Sequence, residues 1–222
     1  MNSGTGLRER KKLQQRHRLA DVAARLFAER GYDAVSVSDV ARAADVSDQT
    51  VYNYFPTKPE LVLDRAEEIR ARYREVVLGR ADGVTPADAL RPLVHGDIDR
   101  YHGADFDLAR GEFPAQCRGS DVLRRFALEV RDRQAETIAD AIVQTAPDLH
   151  PLVARAHAAA LVAVVQVITD RIGAAVIAGG DRDDAAAGMH RDADQALDDA
   201  TEHFRAMTAR TRSTNRAEER HA

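Results

Sequence analysis

The sequence predicts an all-α protein, and two observations support that prediction. Apolar residues recur at intervals of three and four along most of the chain, which is the spacing of a helix face that packs against a core. No segment alternates apolar and polar residues with the two-residue period of a half-buried strand, and no internal repeat is evident. With 222 residues and 44% hydrophobic content, the chain is long enough to bury a sizeable core in one or two domains.

Charge is distributed unevenly along the chain. The formal net charge is −4, yet residues 7–18 hold six basic side chains against one acidic side chain. The basic residues of this N-terminal segment are Arg8, Arg10, Lys11, Lys12, Arg16 and Arg18. They form either a solvated tail or a set of phosphate contacts, and we favour phosphate contacts because each neutralised phosphate releases counterions.

Compartment follows from the cysteine content and the N-terminus. Cys117 is the only cysteine and cannot form an internal disulfide, and the N-terminal residues lack an apolar signal core, so we expect a reducing cytoplasm. The most apolar run, Ala158 to Ile168, is shorter than the ~20 residues that a membrane-spanning helix needs. We expect no membrane partner.

The first helix is predicted to end at Gly31, a residue that commonly terminates helices. Its core-facing stripe has helical spacing and consists of Leu19, Val22, Ala23, Leu26 and Phe27. Residues 1–7 precede the helix and are expected to be mobile.

Two short helices joined by a tight turn are predicted between Ser36 and Lys58. Ser36 is a good N-cap, and Asp39 follows three residues later, where a carboxylate complements the positive helix end. A turn is predicted at Asp45, after a face of small apolar residues. That face consists of Val37, Val40, Ala41 and Ala44.

The second of these helices is predicted to run from Asp48 to Phe55, with Ser47 as its cap. Val51 and Phe55 are four residues apart and face the core, whereas the outward side chains are those of Gln49, Tyr52 and Asn53. A helix presented in this way fits the major groove of DNA, so the segment is predicted to be a helix-turn-helix.

The run VSDQTVYNYFPTKPEL resembles the recognition helix of tetracycline-repressor-type (TetR family) transcriptional regulators. The residues that carry the resemblance are Thr50, Tyr52, Tyr54, Phe55, Pro56 and Lys58, preceded by Gly31-Tyr32 and Val40-Ala41. The resemblance covers about the first quarter of the chain. It implies contacts to the DNA backbone from Ser36, Ser38, Ser47, Tyr52, Tyr54 and Lys58. It also implies base selection by Asp48, Gln49 and Asn53, and Thr50 is a further expected DNA-binding residue.

Two residues depart from the family pattern. Asp45 stands where the family usually has Gly, and it tolerates a left-handed backbone less readily. Asp48 stands where a basic residue is common, so phosphate attraction is lost there and a contact to cytosine N4 becomes possible. Purely structural roles are the alternatives: Ser36 and Ser47 as caps, Tyr54 as core, and Asp48 as a favourable helix N-terminal charge, which we favour for Asp48.

A long fourth helix is predicted from the region of Thr57 and Pro59 to Leu78. It would join two domains as a rod that transmits displacement. After a linker over residues 82–86, a fifth helix is predicted from Pro86 to near Gly103. Residues 104–119 are predicted to be a loop with at most one short helix, and a core helix follows from Asp121 to Ala146.

Two further helices are predicted to form a symmetric four-helix interface between subunits. The helix from Leu149 to Ala178 has almost no polar face, and the helix from Ala185 to Arg210 keeps one apolar stripe. The residues expected at this dimer interface are Leu161, Val164, Val165, Ile168, Ile172, Leu197 and Phe204.

A small-molecule pocket is predicted around residues 104–119, where glycines and Pro114 favour a mobile gate. Its apolar lining is expected to be Leu90, Val94, Tyr101, Phe106, Phe113, Cys117 and Phe126, with His95, Asp99 or Gln166 orienting the ligand. For each of these residues taken singly, the alternative is that it packs in the protein core.

Enzyme chemistry is not predicted, because the chain has no phosphate-binding loop, nucleophile elbow or zinc-protease motif. His95, Asp99 and His102 share one helix face, but a single helix rarely completes a metal site, so no metal and no cofactor is expected.

The sequence therefore predicts a DNA-binding domain over residues 1–57, a helical ligand-binding and dimerisation domain over 58–210, and a disordered tail over 211–222. The family resemblance implies a homodimeric repressor that binds double-stranded, palindromic operator DNA and is released by a small-molecule effector. The alternatives are an activator, a regulator that responds to a metal or a protein, and a helical ligand-binding protein or enzyme. The last would lack salt-dependent duplex binding.

Overall fold

The computed structural model describes the backbone of residues 3–219 and the side chains of residues 8–211 except Phe106. Every regular element within these residues is helical, which confirms the all-α prediction. A 3-10 helix occupies Lys58–Leu61. The α-helices in chain order are α1 (Ser3–Arg30), α2 (Val37–Ala43), α3 (Asp48–Tyr54), α4 (Ala66–Leu78), α5 (Pro86–His102), α6 (Phe106–Ala109), α7 (Phe113–Gly119), α8 (Asp121–Thr145), α9 (Pro151–Ala178) and α10 (Arg182–Glu219).

The chain forms two compact units, each built from separate pieces of sequence. The first unit holds the chain up to Arg65 together with Ala104–Phe126 and Ile172–Gly179. The second unit holds Ala66–Gly103, Ala127–Arg171 and the chain from Gly180 onward. The predicted division into contiguous domains at residues 57 and 58 stays a prediction.

The core of the first unit forms where α1 packs on the two short helices. On α1, Leu19, Ala23 and Phe27 are almost fully buried, as the sequence stripe predicted. The turn after α1 is made by Gly31, whose φ of +79° lies in the left-handed region that favours glycine. Phe27 and Tyr32 pack together across this turn, with their ring centroids 5.3 Å apart.

Two glycines of the first unit lie where backbones come into close contact. A β-carbon at Gly111 would lie 1.7 Å from the carbonyl oxygen of Ala24 on α1. A β-carbon at Gly173 on α9 would lie 1.9 Å from the carbonyl oxygen of Pro114 on α7. Residues 111 and 173 therefore have to be glycine for α1, α7 and the end of α9 to pack as they do.

The predicted continuous fourth helix is wrong. The 3-10 helix ends at Leu61, residues 62–65 form turns, and α4 begins only at Ala66. Arg16 explains part of this break, because its guanidinium donates a 2.9 Å hydrogen bond to the carbonyl of Asp64. That carbonyl thus has a partner outside the helical hydrogen-bond ladder.

In the second unit, α5 packs against both α4 and α10. The N-cap of α5 is Thr85, whose hydroxyl oxygen accepts a 3.2 Å hydrogen bond from the backbone N–H of Asp88. The same hydroxyl lies 2.9 Å from the hydroxyl of Thr201 on α10. The buried residues on the two helices include Leu90, Val94, Ile98, Met189, Ala193 and Leu197.

Several helix ends differ from those predicted. Helix α1 begins at Ser3, so residues 3–7 are helical in backbone, whereas residues 1 and 2 lie outside the described residues. Helix α10 continues to Glu219, so residues 211–219 are helical in backbone rather than a disordered tail, and residues 220–222 lie outside the described residues. Residues 104–119 form two short helices where at most one was predicted.

Helix α9 spans Pro151–Ala178, close to the predicted range from Leu149 to Ala178. By length and composition alone it could cross a membrane, a property that the core helices of soluble proteins share. Within the chain, the residues Ala154, Ala158 and Leu161 of this helix are fully buried.

The burial of His157 on α9 predicts that the folded protein loses stability in acid. Its side chain is 4% exposed, and within the described residues its Nε2 has no hydrogen-bond partner. Burial, together with the neighbouring His203, lowers the pKa of His157 to about 4. The unfolded chain therefore binds a proton at His157 more readily than the folded chain does. The contribution of neutral His157 to the free energy of unfolding is complete above the ordinary histidine pKa of about 6.5. It falls by about 3 kcal/mol as the pH drops to 4.

Urea unfolding at a series of pH values measures this loss. We expect His157→Leu to flatten the decline between pH 6.5 and 4, whereas His17→Leu, which changes an exposed histidine, should leave it in place. An unchanged pH dependence in His157→Leu would contradict the assignment.

Candidate nucleic-acid interface

The start of α2 is fixed by a reciprocal pair of hydrogen bonds. The backbone N–H of Asp39 donates to the Ser36 hydroxyl oxygen at 3.1 Å, and the backbone N–H of Ser36 donates to the Asp39 carboxylate at 2.9 Å. This is the capping box that the spacing of Ser36 and Asp39 predicted, and the structure confirms it. Hydrogen bonds that the Ser36 hydroxyl and then the Ser36 backbone N–H donate to the Asp39 carboxylate hold the pKa of Asp39 below its usual value.

The turn between α2 and α3 is made by the residue that departs from the family pattern. Asp45 has a φ of 53°, so it adopts the left-handed conformation that the sequence analysis assigned to it. Ser47 then caps α3, because its hydroxyl accepts a 3.1 Å hydrogen bond from the backbone N–H of Thr50. The Thr50 hydroxyl oxygen lies 2.8 Å from the Ser47 hydroxyl oxygen, so the two side chains are hydrogen-bonded to each other at the cap.

Helix α3 buries one face and exposes the other. Val51 is fully buried and Phe55, directly after the helix, is 1% exposed, which confirms both as core. Tyr52 is 45% exposed, and Gln49 and Asn53 are also exposed. The Gln49 amide donates a 3.1 Å hydrogen bond to the Asn53 amide oxygen, so the outward face presents adjacent amides that can hydrogen-bond base edges.

Asp48 has a structural partner. The Ser38 hydroxyl on α2 donates a hydrogen bond to the Asp48 carboxylate, which joins the two helices of the motif. Asp48 also lies in the first turn of α3, as the structural alternative held. Base selection by Asp48 and phosphate contact by Ser38 stay predictions.

Two of the basic residues expected at phosphates contact other parts of the motif, and phosphate contact from them stays a prediction. Arg16 lies over the Phe55 ring at 4.2 Å from the centroid and donates a 2.5 Å hydrogen bond to the carbonyl of Tyr54 at the end of α3. Arg18 donates to the carbonyl of Ala44 at the end of α2, at 3.1 Å. Both guanidiniums thus satisfy carbonyls at helix C-termini. The other four members of the set, Arg8, Arg10, Lys11 and Lys12, are exposed.

Lys58 also has a structural role that the sequence did not indicate. Its ammonium donates a 2.6 Å hydrogen bond to the Tyr32 carbonyl and lies 4.0 Å from the centroid of the Tyr32 ring. Burial lowers the pKa of Lys58 and raises the pKa of Tyr32 to about 12. A phosphate contact from Lys58 would have to form while these contacts persist or replace them.

Gln116 on α7 is a further residue that sequence reasoning missed. Its amide oxygen accepts a 2.8 Å hydrogen bond from the backbone N–H of Tyr32, and its amide nitrogen donates to the carbonyls of Phe27 and Arg110 at 3.2 and 2.6 Å. Nearby, Ser120 donates a 2.9 Å hydrogen bond to Asp33. The turn before α2 is therefore held from α7 and the residue that follows it.

The residues of the predicted pocket are distributed over both units, and the pocket stays a prediction. Leu90, Val94, Tyr101 and Cys117 are buried, Phe113 and Phe126 are half-buried, and the Phe106 side chain lies outside the described residues. Gln166 donates a hydrogen bond to Asp170 at 3.3 Å. His95 and Asp99 contact α10. The sequence analysis of His95, Asp99 and His102 considered one helix only and did not include this partner.

Most residues of the predicted dimer interface are buried within the single chain, and the interface stays a prediction. Leu161, Ile168, Ile172, Leu197 and Phe204 are each at most 9% exposed in the single chain, so they have almost no surface left to bury against a partner. Val164 and Val165 are half-buried. The exposed apolar face of α9 instead consists of Leu152, Ala156, Ala159, Ala160, Ala163 and Val167.

Comparison with known proteins agrees with this geometry. Residues 19–64, which include α2 and α3, match the family described as "Bacterial regulatory proteins, tetR family". The chain carries a TetR-family DNA-binding segment. This match ends near the break before α4, so it covers the helix-turn-helix and the part of α1 from Leu19 onward.

Two curated relatives of the chain are transcriptional regulators rather than enzymes. The HTH-type transcriptional repressor KstR2 of Rhodococcus jostii is 34% identical over 94 residues, which cover 40% of this chain and 46% of KstR2. The HTH-type transcriptional regulator TcmR of Streptomyces glaucescens is 31% identical over 105 residues, covering 47% of this chain and 46% of TcmR. The chain thus matches about half the length of these curated relatives.

Solved structures agree in fold over most of the chain. NalD of Pseudomonas aeruginosa, the secondary repressor of the MexAB-OprM multidrug efflux pump, aligns with a TM-score of 0.52 and 19% identity over 82% of this chain and 96% of NalD. The fatty acid degradation regulator FadR of Bacillus halodurans aligns with a TM-score of 0.52 and 20% identity over 82% of this chain and 97% of FadR. At these identities the similarity concerns the fold alone.

Proposed function

We propose that the chain is a DNA-binding transcriptional regulator of the TetR family, and that it represses transcription as a homodimer on a palindromic operator. The observation that supports this most strongly is the outward face of α3. Gln49, Tyr52 and Asn53 are exposed on a helix whose opposite face is buried, within the segment that matches the family. Exposed amides on such a helix can read base edges in the major groove.

Affinity for the DNA backbone would come from the exposed basic residues at the start of α1. Arg8, Arg10, Lys11 and Lys12 lie on the helix that supports the motif and are exposed. Cations in this position can neutralise phosphates, which gives binding a steep salt dependence. Tyr52 and the Ser38 hydroxyl are further candidates for phosphate contacts.

The palindrome follows from the proposed dimer. The exposed face of α9 is made only of apolar residues from Leu152 to Val167, and many are alanines that allow a second helix to approach closely. A two-fold axis at such a face would place two α3 helices on two related half-sites.

Relief of repression would require a small-molecule effector in the helical part of the chain. Such an effector must bind the DNA-incompetent state more tightly than the DNA-bound state, so operator and effector should weaken each other by the same factor. The predicted lining residues Phe113 and Phe126 are half-buried, which leaves part of each ring available to a ligand. We place the protein in the cytoplasm, where the chromosome of a bacterial cell is accessible.

Selection of binding sites from a random duplex library tests the proposal. We expect the selected sites to be palindromic, and Asn53→Ala to change the preferred base at one position in each half-site by about 1–3 kcal/mol of discrimination. Gln195→Ala, which removes an exposed amide on α10, is the matched control and should select the same sites as the unaltered protein.

Lys11→Ala gives the complementary result. Because Lys11 is expected at a phosphate, its loss should weaken binding to all duplexes alike and lower the slope of log affinity against log salt by about 1. If Asn53→Ala and Lys11→Ala had the same effect on every sequence, the assignment of α3 as the base-reading helix would fail.

A further inference from the structure

The turn between α1 and α2, residues 31–35, is held by the side chain of Gln116 on α7. The Gln116 amide oxygen accepts a 2.8 Å hydrogen bond from the backbone N–H of Tyr32. The amide nitrogen donates to the carbonyl of Phe27, in the last turn of α1, at 3.2 Å and to the carbonyl of Arg110 at 2.6 Å. One side chain thus joins the end of α1, the turn and the segment before α7, all of which belong to the first unit.

Tyr32 connects this turn to the end of α3. Its carbonyl accepts a 2.6 Å hydrogen bond from Lys58, which follows the last residue of α3 by four positions. Tyr32 is 4% exposed, so its backbone N–H and its carbonyl both need partners within the protein. Gln116 is the partner of the N–H, and Lys58 is a partner of the carbonyl. Helix α7 and the end of α3 are therefore joined through the backbone of one residue.

Helix α7 is itself held closely by its neighbours in the first unit. A β-carbon at Gly111 would lie 1.7 Å from a carbonyl oxygen of α1, and one at Gly173 would lie 1.9 Å from the carbonyl oxygen of Pro114. Ser120, directly after α7, is 1% exposed and donates a 2.9 Å hydrogen bond to Asp33 in the turn. Contacts between backbones cannot adjust by rotation of a side chain, so α7 is a fixed support for Gln116.

We propose that Gln116 is a positioning residue for operator recognition. It holds the turn that places α2 and α3 on α1, and it acts through Tyr32 rather than by touching DNA. The inference rests on the proposed DNA-binding function. It makes the geometry of α3 dependent on α7, which lies outside residues 19–64, the part of the chain that matches the family.

The site requires a side chain that both donates and accepts. An amide has one accepting oxygen and two N–H donors, which match one backbone N–H and two carbonyls here. Ionised glutamate has the same length but only accepts, so it would keep the bond from Tyr32 and face the carbonyls of Phe27 and Arg110 without a hydrogen. Methionine has a similar length and would form none of the three bonds.

Loss of Gln116 would leave the buried Tyr32 N–H without this acceptor, which favours other conformations of the turn. A protein in which only some folded molecules hold α3 in the reading geometry binds DNA more weakly by that fraction. If about a tenth of the molecules hold it, the dissociation constant rises about tenfold. The phosphate contacts of the bound state stay the same, so the dependence of log affinity on log salt should keep its slope.

Fluorescence anisotropy with the selected palindrome tests the proposal on the full chain, using two controls on α8. Gln134→Met removes another half-buried glutamine, and Ile138→Val lowers stability by removing a methylene from a fully buried side chain. We expect Gln116→Met to raise the dissociation constant about tenfold with an unchanged salt slope, and Gln116→Glu to raise it at least as much. Both controls should bind like the unaltered protein. Circular dichroism establishes that each variant is folded.

Hydrogen exchange measured by NMR tests the positioning without DNA. In the unaltered protein the Tyr32 N–H should be protected, and in Gln116→Met it should exchange about tenfold faster. The amide resonances of Thr50 and Asn53 on α3 should also shift in Gln116→Met. They should not shift in Ile138→Val, because a loss of stability alone does not change the native position of α3.

The proposal would be overturned by a folded Gln116→Met protein with unaltered operator affinity, or by α3 resonances that stay in place in that variant. An unprotected Tyr32 N–H in the unaltered protein would also overturn it, and this result needs no variant that folds. An equal loss of affinity in Ile138→Val would show that stability, rather than position, sets the affinity. Failure of the unaltered protein to bind any duplex would overturn the proposed function and this inference together, whereas normal binding by both the unaltered protein and Gln116→Met would overturn this inference alone.

Discussion

Replacing Gly173 with alanine should destabilise the protein by about 3 kcal/mol, although alanine is the better helix former. The β-carbon of the new residue would lie 1.9 Å from the Pro114 carbonyl oxygen and 2.4 Å from its carbon, and these backbone atoms cannot rotate away as a side chain could. Helix α7 and the end of α9 would have to separate. Urea unfolding measures the change as a shift in midpoint.

Gly96 provides the matched control for Gly173. It also lies inside a helix, α5, but a β-carbon there meets no atom within 4 Å. Gly96→Ala should therefore raise the free energy of unfolding by about 0.5–1 kcal/mol through helix propensity alone. A stabilising effect of Gly173→Ala similar to that of Gly96→Ala would contradict the close packing of α7 on α9.

Replacing Val167 with glutamate should convert the proposed homodimer into monomers. Val167 is 55% exposed in the single chain and lies on the apolar face of α9, so in a dimer the new carboxylate would be buried without a partner. A two-fold interface contains the substitution twice. A cost of about 3 kcal/mol per dimer already raises the dissociation constant by more than 100-fold, which analytical ultracentrifugation resolves.

Val122→Glu is the control for that experiment. Val122 has a similar exposure of 53% but lies on α8, outside the proposed interface, and its replacement should leave the protein dimeric. A Val167→Glu protein that stays dimeric at the concentration where the unaltered protein is dimeric would show that the interface lies on another face.

The features that could be predicted from the sequence are those set by neighbours within one helical turn. The caps of α2 and α3 depend on Ser36 with Asp39 and on Ser47 with Thr50, all within three residues. The burial of Val51 and Phe55 follows in the same way from a spacing of four residues. Such short-range patterns were sufficient to predict the helix-turn-helix and the all-α fold.

The features that could not be predicted depend on partners distant in sequence. Arg16 satisfies carbonyls 38 and 48 residues away, and Gln116 holds a turn 84 residues away, so no local pattern indicates either role. His95 illustrates the same limit. On its own helix it suggested an incomplete metal face, and only α10 supplies His190 and Asp194.

The residues expected at the dimer interface show a related limit. Helix α9 is apolar all round, so its sequence alone does not distinguish the face that packs inside the chain from the face that is exposed. The largest apolar residues, such as Leu161 and Ile168, were assigned to the interface, yet the core takes them and leaves the smaller alanines exposed.

Fluorescence anisotropy of a labelled duplex carrying the selected palindrome tests most directly whether the chain is an operator-binding protein. At low salt the unaltered chain should bind with a stoichiometry of two chains per duplex, and its affinity should fall steeply with salt concentration. A double variant, Gln49→Ala with Asn53→Ala, should retain the salt-dependent binding but lose the preference for the palindrome over a scrambled duplex. Absence of salt-dependent binding to any duplex by the folded, unaltered protein would contradict the proposed function.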